Sequence, residues 1–409
     1  MKKRIFISIH YMEIGGAEMS LIGLLHAIDY SRYDVDLFIC SHRGELMQFI
    51  PREVNVLPEI PEYACIEKPI AEIVRQRLWK MAYARLKAKI LYYIQKKNKH
   101  DGPSEEIFGI IANCVTPYLP SLKHYGLYDL AINYIGISEI VLEKVESKKK
   151  ICWLHTDYTT VKVNSSKGLP VFSALDHIIS ISSDVTRAFL NTYPSLENKI
   201  VEIENILSLD FVRQRAELIP PTEIDKEMPY EENVIRLLSI GRFCYQKNFE
   251  NVPDICQKIN SKFKIQNSKL RVKWFLIGFG GDEELIRRKI EEAGMQDHVI
   301  ILGKKSNPYP YIKACDIYVQ PSRFEGKSIT VREAQMLCKP VVITNYLTAP
   351  SQVTDGNDGV IVPLDNEGCA MGLCDFIQNM ELQESISEFL SKNDFAKTED
   401  INKLYDLME

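Results

Sequence analysis

The sequence of 409 residues lacks several features that mark common special classes of protein. Its ten cysteines are scattered without a C-x-x-C pair, which argues against a zinc ribbon or a disulfide framework and fits reduced thiols in the cytosol. No run of about 18 apolar residues is present, so we expect no membrane-spanning helix. The first apolar segment begins almost at Met1, so we expect no signal peptide. A formal net charge of −5 gives no support for nucleic acid as a partner.

Short apolar runs rich in β-branched residues alternate with longer helical patterns along the chain. Near-continuous apolar strands are typical of parallel sheets that helices cover on both faces. Two series of such runs therefore predict two doubly wound α/β domains. The predicted strands are 4–9, 35–40, 129–135, 150–155, 177–182 and 201–205 in the first series, and 235–241, 273–278, 298–303, 315–320 and 340–344 in the second.

A polar segment separates the two series. Residues 216–232 contain three prolines and six acidic residues and show no apolar period, which predicts a surface loop near an interdomain hinge. We expect an N-terminal domain of residues 1–206, a C-terminal domain of residues 207–381 and a helical tail of residues 382–409.

One segment departs from the average charge. Residues 71–100 carry nine Lys or Arg and a single Glu, with aromatic and aliphatic residues between them. A basic amphipathic helix with aromatics suits an anionic membrane surface. The alternative is a solvated helix whose long side chains cover its own apolar stripe.

The second series of strands opens with "SIGRFCYQKNFE". Its first strand ends in Gly241, which allows a sharp turn, and Arg242 and Lys247 follow. Ligands in open α/β sheets bind at the carboxyl ends of the strands. Two cations there would hold a diphosphate and stabilise negative charge on a departing nucleotide. The alternative is that both are ordinary surface residues.

A glycine-rich turn, "LIGFGGDEE", follows the next strand. It departs from the dinucleotide fingerprint because Glu283 stands where G-x-G-x-x-G has its last glycine. Acidic residues at the start of the following helix also suit its dipole better than they suit a pyrophosphate. We therefore expect no NAD site here and interpret the glycines as residues of a tight turn.

The stretch "SRFEGKSITVREAQ" (322–335) places Glu325 in a loop after a buried strand and Glu333 in the following helix, which we expect to begin near Ile329. Free backbone N–H groups at that helix start would suit an anion. The alternative for Glu333 is a capping box with Thr330, in which the carboxylate only caps its own helix.

Together, these motifs resemble those of a known protein family. "SIGRFCYQKN", "LIGFGGDEE", "LGKKSNPYPYIKACDIYVQPSRFEGKSITVREA" and "KPVVITNY" occur in the order and spacing of the C-terminal domain of glycosyltransferase family 4. "GGAEMSLIGLLHAI" (15–28) resembles the glycine loop and helix of that family's N-terminal domain. The resemblance covers most of the chain from Ile5 to Pro363. It implies a GT-B fold, with two Rossmann-like domains facing across a cleft and a C-terminal tail that crosses back to the N-terminal domain.

The resemblance also implies roles for individual residues. Glu333 would accept hydrogen bonds from the two ribose hydroxyls of the donor, and Glu325 would lie beside the donor sugar as a catalytic residue. Arg242 and Lys247 match the diphosphate-binding pair of the family. The implied donor-binding set is Gly16, Arg242, Lys247, Gly326, Ile329 and Glu333.

The segment "KICWLHTDY" (150–158) resembles the one that carries the family's active-site histidine. His155 would be that catalytic histidine, in contact with the donor sugar, and Asp157 would contact the acceptor. The alternative for a lone histidine is a satisfied core residue.

The implied protein is a retaining glycosyltransferase of the cytosol, peripheral on the inner face of the plasma membrane. It would move a sugar from a nucleotide diphosphate donor, expected to be a UDP-sugar, to a glycan acceptor, expected to be lipid-linked. No metal or other cofactor is implied, and no D-x-D pair stands at a strand end of the donor domain. The alternatives are a non-catalytic subunit that partners a transferase and a nucleotide-sugar epimerase of the same fold.

Overall fold

The computed structural model describes residues 2–97, 106–155, 158, 165–266 and 268–409, of which 95–97 and 106 are described by their backbone alone. The chain divides into two compact units. Unit 1 contains Met1–Leu207 together with Thr398–Glu409, and unit 2 contains Ser208–Lys397.

Unit 1 is built around a parallel sheet. Its described strands are β1 (Lys3–Ile9), β2 (Tyr33–Ile39), β3 (Asn55–Val56), β4 (Leu127–Asn133), β5 (Glu146–Leu154), β6 (His177–Ser180) and β7 (Ile200–Glu202). Their order in the sheet is β3-β2-β1-β4-β5-β6-β7. The order reverses between β1 and β4, and such a reversal opens a crevice at the carboxyl ends of the strands.

Helices cover this sheet. They are α1 (Gly16–Ala27), α2 (Pro61–Ala64), α3 (Ile70–Arg75), α4 (Trp79–Lys97), α5 (Glu106–Val115), α6 (Ser165–Ser173) and α7 (Ser183–Thr192). The central strand β1 carries Ile5, Phe6 and Ile7, whose side chains alternate between the two faces and are all fully buried. This burial on both faces explains why the strands have continuous apolar sequences.

Unit 2 repeats the design. Its described helices α8 to α16 and strands β8 to β13 are α8 (Leu209–Ala216), α9 (Pro221–Glu227), β8 (Val234–Ile240), α10 (Val252–Ile265), β9 (Arg271–Ile277), α11 (Glu283–Glu292), β10 (Val299–Gly303), α12 (Tyr309–Ala314), β11 (Ile317–Gln320), α13 (Ile329–Met336), β12 (Val341–Thr344), α14 (Ala349–Gln352), β13 (Val360–Val362), α15 (Asn366–Gln378) and α16 (Met380–Lys392). The strands form a parallel sheet in the order β10-β9-β8-β11-β12-β13, which reverses between β8 and β11.

The last helix, α17 (Ile401–Asp406), belongs to unit 1. The Tyr405 ring stacks on Tyr33 of β2 with centroids 4.3 Å apart, and its hydroxyl accepts a hydrogen bond of 2.9 Å from the backbone N–H of Asp29. The preceding helix α16 packs within unit 2, where Ile386 and Leu390 join the apolar core.

The predicted fold class is confirmed, because both units are α/β structures with parallel sheets. Each of the eleven predicted strands is present, with small shifts at the ends. The sequence did not predict β3 and β13. These edge strands contain only two and three residues, too few to give an apolar run that stands out from a loop.

Candidate functional site

In unit 2, two loops meet at the carboxyl edge of the sheet where the strand order reverses. One follows β8 and the other follows β11. The backbone N–H of Arg323 donates to the carbonyl of Gln246 at 2.8 Å, and the Arg323 guanidinium lies 2.7 Å from Glu250 Oε1. The same guanidinium stacks 4.0 Å from the centroid of the Tyr245 ring. The two loops are therefore held together as one structure.

A buried ion pair lies inside this structure. Lys247 Nζ lies 2.6 Å from Glu325 Oε1, and Glu325 is 7% exposed. Ser322 Oγ at 2.5 Å and Gln320 Nε2 at 3.2 Å also donate to Oε1, while Gln246 Nε2 donates to Oε2 at 3.1 Å. One ammonium and three neutral donors thus fix the carboxylate, as a buried charge requires.

Glycines allow the close approach of these loops. A Cβ added at Gly241 would lie 3.0 to 3.2 Å from the carbon atoms of the Lys247 side chain. At Gly278, where φ is +156°, a Cβ would lie 1.9 Å from the carbonyl oxygen of Gly241. The glycine-rich turn therefore brings two chain segments together, in agreement with its interpretation as a tight turn.

Arg242 has a different environment from Lys247. Its side chain is exposed, and no hydrogen bond or ion pair joins it to the other described residues of unit 2. It follows β8 directly, at the same sheet edge as Lys247. Its guanidinium is available to a ligand at this edge.

Glu333 is buried in α13 and is 2% exposed. Tyr309 of α12 donates a hydrogen bond of 2.7 Å to its Oε1. Burial raises the pKa of Glu333 to about 7, and the hydrogen bond from Tyr309 opposes this rise. The capping-box alternative is wrong, because Ser328 is the N-cap residue and Glu333 is the fifth residue of the helix.

The start of α13 lies between the two glutamates in the sequence. The Gln352 side chain holds it by accepting from the Ser328 backbone N–H at 2.6 Å and donating to the Ser328 carbonyl at 3.2 Å. Thr348 Oγ1 donates to the Glu325 carbonyl at 2.8 Å. Gly326 is partly buried within this loop, and Ile329 is the first residue of the helix.

In unit 1, His155 directly follows β5 and is partly buried. A hydrogen bond with the backbone of Tyr134 holds the ring, and burial lowers the histidine pKa to about 3. Its Nε2 has no hydrogen-bond partner within the described part of the chain. The same is true of Nε1 of Trp153, two residues earlier. The Nε2 atom of His155 is therefore a buried ring nitrogen that no described residue pairs.

Both side chains line a cavity of about 460 Å³ at the carboxyl edge of the unit 1 sheet. His10, which follows β1, lies in its wall with Nε2 3.7 Å from Glu67 Oε1. Burial lowers the His10 pKa, and the charge of Glu67 opposes this shift. Burial also raises the pKa of Glu139, another wall residue.

Gly16 is the first residue of α1 and is exposed. A Cβ added at the preceding residue, Gly15, would lie 2.2 Å from the Glu18 carboxylate, which would have to move aside. Asp157, the predicted acceptor contact, lies outside the described residues.

An exposed apolar stripe runs along α4, and we call it the α4 face. It is formed by Trp79, Tyr83, Leu86, Ile90, Tyr93 and Ile94. Helical geometry places them within about 100° of one another, with Lys80 and Lys87 on one flank and Lys89 on the other. The residues that pack inward are Met81, Ala82, Ala84 and Ala88.

The structure thus brings Arg242, Lys247 and Glu325 to one sheet edge in unit 2 and places His155 and Gly16 in unit 1. Sequence reasoning missed several polar partners. Gln320 and Ser322 could have been found, because polar residues end an otherwise apolar strand. Nothing in the sequence pairs Tyr309 with Glu333, or Glu67 with His10.

The comparisons with known proteins found glycosyltransferases. Residues 222–392 match the family model described as glycosyl transferases group 1. Over 44% of this chain and 42% of the relative, the sequence is 25% identical to an uncharacterized glycosyltransferase of Methanocaldococcus jannaschii. It is 22% identical to the amylovoran biosynthesis glycosyltransferase AmsD of Erwinia amylovora, over 68% of this chain and 74% of that protein.

A third relative is the N-acetylgalactosamine-N,N'-diacetylbacillosaminyl-diphospho-undecaprenol 4-alpha-N-acetylgalactosaminyltransferase of Campylobacter jejuni. It is 24% identical over 36% of this chain and 39% of its own length. Among solved structures, Anabaena HepE in complex with UDP-glucose superposes with a TM-score of 0.66, covering 98% of this chain and 99% of HepE at 15% identity. This likeness concerns the fold and confirms the GT-B prediction.

Two further observations apply to the residues that the structure describes. No group of three or more His, Cys, Asp or Glu side chains there is placed to hold a metal ion. None of the helices there has both the length and the apolar character needed to cross a membrane.

Proposed function

We propose that this protein is a retaining glycosyltransferase of family 4 that transfers a sugar from a nucleotide diphosphate donor, a UDP-sugar, to a hydroxyl of a glycan. The observation that carries the proposal is the Lys247–Glu325 pair with its three neutral donors at the carboxyl edge of the unit 2 sheet. The Lys247 ammonium donates to Glu325 alone among the described residues, so it keeps further N–H donors for a charged sugar nucleotide at this ligand-binding edge.

Different groups at this edge would bind different parts of the donor. Arg242 and Lys247 hold the diphosphate, the arginine through its fork and the lysine as a point charge. The backbone N–H groups of Gly326 and Ile329 lie at the positive end of α13 and would face the phosphates, whereas the Ser328 N–H already donates to Gln352. Glu333 accepts the ribose hydroxyls, because an ionised carboxylate has two acceptor oxygens. Gly16 gives the α1 backbone access to the phosphates.

Departure of the nucleotide leaves negative charge on its terminal phosphate. Arg242 and Lys247 supply positive charge to stabilise it, so the reaction does not need a divalent metal. Glu325 positions the donor sugar through its hydroxyls. The acceptor attacks the anomeric carbon from the face that the phosphate leaves, the acceptor proton passes to a phosphate oxygen, and configuration is retained.

Unit 1 would bind the acceptor, with His155 beside the donor sugar and Asp157 as an acceptor contact. Phe108 of α5 lines the cavity of unit 1 while remaining 59% exposed, and α5 packs against α4. The cavity therefore lies next to the helix that carries the exposed α4 face. This arrangement suits a lipid-linked acceptor whose sugar end reaches the cavity from an anionic membrane surface. The Campylobacter relative is named for an undecaprenol-linked acceptor.

The test is a thermal-shift panel with UDP, GDP, ADP and their sugar conjugates, with and without a chelator. A ligand of the folded state raises the melting temperature by mass action. We expect one base and one sugar to stand out, with the same shift in the chelator. Radiolabel from that donor should then reach a lipid-linked glycan fraction. Tight nucleotide binding without any transfer would support the non-catalytic subunit instead.

A further inference from the structure

The Gln320 side chain connects two parts of the unit 2 site. It is the last residue of β11 and is fully buried. Its Nε2 donates to Ser322 Oγ at 2.6 Å and to Glu325 Oε1 at 3.2 Å. Its Oε1 accepts from the Tyr318 hydroxyl at 2.8 Å and from Thr330 Oγ1 at 3.4 Å. One amide therefore joins the loop that carries Glu325 to the first turn of α13.

The Glu325 carboxylate determines the direction of this amide. A glutamine has two N–H donors at one end of its amide and a carbonyl acceptor at the other, whereas an ionised carboxylate only accepts. Reversal of the Gln320 amide would set its carbonyl oxygen against the Glu325 carboxylate, where two acceptors repel each other. The carbonyl therefore faces Tyr318 and Thr330, whose hydroxyls can donate to it. Gln320 is held in one orientation from both ends.

Further hydroxyls extend this network. The Ser322 hydroxyl, which accepts from Gln320, itself donates to Glu325 Oε1 at 2.5 Å. At the other end, Thr330 Oγ1 lies 2.8 Å from the Tyr318 hydroxyl and 3.1 Å from Ser328 Oγ, the N-cap residue of α13. Groups of a buried hydrogen-bond network polarise and orient one another. The carboxylate and the start of α13 therefore form one connected polar unit.

Burial separates the supporting residues of this network from the residue that would meet the donor. Gln320 and Tyr318 are both 0% exposed, so neither can contact a donor, whereas Glu325 is 7% exposed. Without Gln320, one ammonium and two neutral donors would still bond the Glu325 carboxylate. Compensation of the negative charge therefore does not depend on Gln320. What the amide adds is the direction of the carboxylate relative to the start of α13.

We propose that Gln320 is a positioning residue for sugar transfer. It holds the Glu325 carboxylate in the direction in which it meets the donor sugar, and it ties that direction to the start of α13, where the donor phosphates would bind. The inference rests on the proposed glycosyltransferase function and adds a residue that acts through Glu325 without touching the donor. Loss of Gln320 should therefore slow the transfer step while leaving the binding of UDP, which carries no sugar, unchanged.

The experiment uses the full chain and the UDP-sugar that the thermal-shift panel selects. It measures kcat for transfer to the lipid-linked glycan fraction and, by isothermal titration, the affinity for UDP. In Gln320→Leu, kcat should fall by about 10- to 100-fold, because a displaced group beside the reacting centre is costly, and UDP affinity should stay within about twofold of the parent.

Ser239→Ala is the matched control. The buried Ser239 hydroxyl donates to the Val319 carbonyl, next to Gln320 in the chain, at 2.6 Å and accepts from Trp274 Nε1 at 2.8 Å. Its removal leaves buried groups unpaired in the same sheet without touching the Gln320 network, so the melting temperature should fall and kcat should not.

Tyr318→Phe tests the connection to α13. It removes the hydroxyl between Gln320 and Thr330 without removing a donor to Glu325. It should lower kcat by less than Gln320→Leu does, and it should have no further effect in the Gln320→Leu background, because it acts through the same side chain. Effects that multiply in the double variant would show that α13 is not coupled to Glu325 through Gln320.

Gln320→Glu keeps the acceptor that faces Tyr318 but places a second carboxyl oxygen against Glu325. Two carboxyl groups in contact do not both ionise, so they share one proton. Lys247 is the cation beside them, and the Tyr318 and Tyr346 hydroxyls stay neutral because burial raises the pKa of each. The shared proton restores a hydrogen bond to Glu325, so kcat relative to the parent should rise by about tenfold from about pH 8.5 to about pH 6. The same ratio for Gln320→Leu should not change.

The assignment is wrong if Gln320→Leu keeps the kcat of the parent, or if its UDP affinity falls as much as its kcat. If Gln320→Leu does not fold, the pH profile of Gln320→Glu decides, and a ratio to the parent that is the same at both pH values overturns the assignment. Transfer by the parent shows separately whether the proposed function stands. A parent that binds UDP and transfers no sugar overturns that function, and the role of Gln320 with it.

Discussion

Lys247 Nζ lies 2.6 Å from Glu325 Oε1, and the two side chains are 15% and 7% exposed. The cation proposed to hold the donor diphosphate and the carboxylate proposed to face the donor sugar therefore neutralise each other in the protein itself. Removal of either partner leaves the other charge buried without compensation. The free energy of unfolding lost in this way exceeds the net stabilisation that the intact pair provides. The pair couples the stability of this edge to its proposed function.

The first prediction separates the effect of this pair on stability from its effect on sugar transfer. It compares Lys247→Met, Glu325→Gln and the double variant. Lys247→Met should lower the free energy of unfolding by roughly 3 kcal/mol, because Glu325 then lacks its counter-ion. The double variant should recover most of that loss, since neither charge remains. Sugar transfer should be absent in all three. Urea unfolding and a radiolabel transfer assay measure the two quantities.

An exposed pair provides the control for this cycle. Lys313 Nζ lies 2.5 Å from Glu217 Oε1, with side chains 47% and 68% exposed. Lys313→Met should cost less than about 1 kcal/mol and leave transfer unchanged. A double variant no more stable than Lys247→Met would show that the buried pair does not act as a unit.

The second prediction concerns Arg242, which no described residue of unit 2 holds by a hydrogen bond or ion pair. Arg242→Ala should leave the melting temperature unchanged, weaken UDP binding by about tenfold or more and abolish transfer. Isothermal titration with UDP and a melting curve test this directly. Arg271→Ala is the matched control, because Arg271 is exposed and begins β9 at the opposite edge of the sheet. Unchanged UDP affinity in Arg242→Ala would refute its assigned role.

The third prediction follows from the pKa of Glu333, raised by burial from 4.5 to about 7. Between these pH values the folded state binds more protons than the unfolded state, so stability should fall as pH rises through this window. Glu333→Gln removes this dependence, and at pH 8 it should melt at a higher temperature than the parent, by an energy of roughly 2–3 kcal/mol. A pH series of melting curves without nucleotide measures this.

Nucleotide binding should have the opposite pH dependence. Ribose hydroxyls donate best to an ionised carboxylate, so UDP affinity should fall as pH drops below about 7. In Glu333→Gln the affinity at pH 8 should be about tenfold weaker, and only the titration of UDP itself should remain in its pH profile. A variant that melts at a lower temperature and binds UDP normally would assign Glu333 a purely structural role.

Much of this architecture could be predicted from the sequence, because the patterns that indicate it lie within short segments of the chain. The strands show as apolar runs, and Arg242, Lys247 and Glu325 lie in the loops that follow strands, where parallel sheets collect ligand-binding side chains. The hydrogen bond between Tyr309 and Glu333 could not be predicted from the sequence. It joins helices 24 positions apart, and its geometry depends on how α12 packs beside α13.

The orientation of α4 could not be predicted from the sequence either. The sequence shows a basic segment with apolar residues at many positions, and helical periodicity alone does not decide which of them face the protein. Packing buries Met81, Ala82 and Ala88, although these residues interleave with the charges as the aromatics do. The six outward-facing apolar residues form the α4 face, with Trp79 63% and Tyr83 59% exposed. The orientation therefore depends on tertiary contacts.

The fourth prediction is that the α4 face binds anionic membranes. Exposed aromatics beside lysines insert at a lipid interface, while the lysines attract anionic headgroups at about 1 kcal/mol each. The protein should co-sediment with vesicles of phosphatidylglycerol and phosphatidylcholine but not with phosphatidylcholine alone.

Two variants separate the contributions to this binding. Lys80→Gln with Lys87→Gln and Lys89→Gln should release the protein from anionic vesicles and reduce the salt dependence of binding. Trp79→Ser with Tyr83→Ser should weaken binding at every salt concentration, since it removes apolar area. The control replaces Lys148, Lys313 and Lys392, three exposed lysines outside α4, and should bind as the parent does. Equal sedimentation of all variants would leave α4 as a solvated helix whose long side chains cover its own apolar stripe, and the lipid-linked acceptor would then lose its structural support.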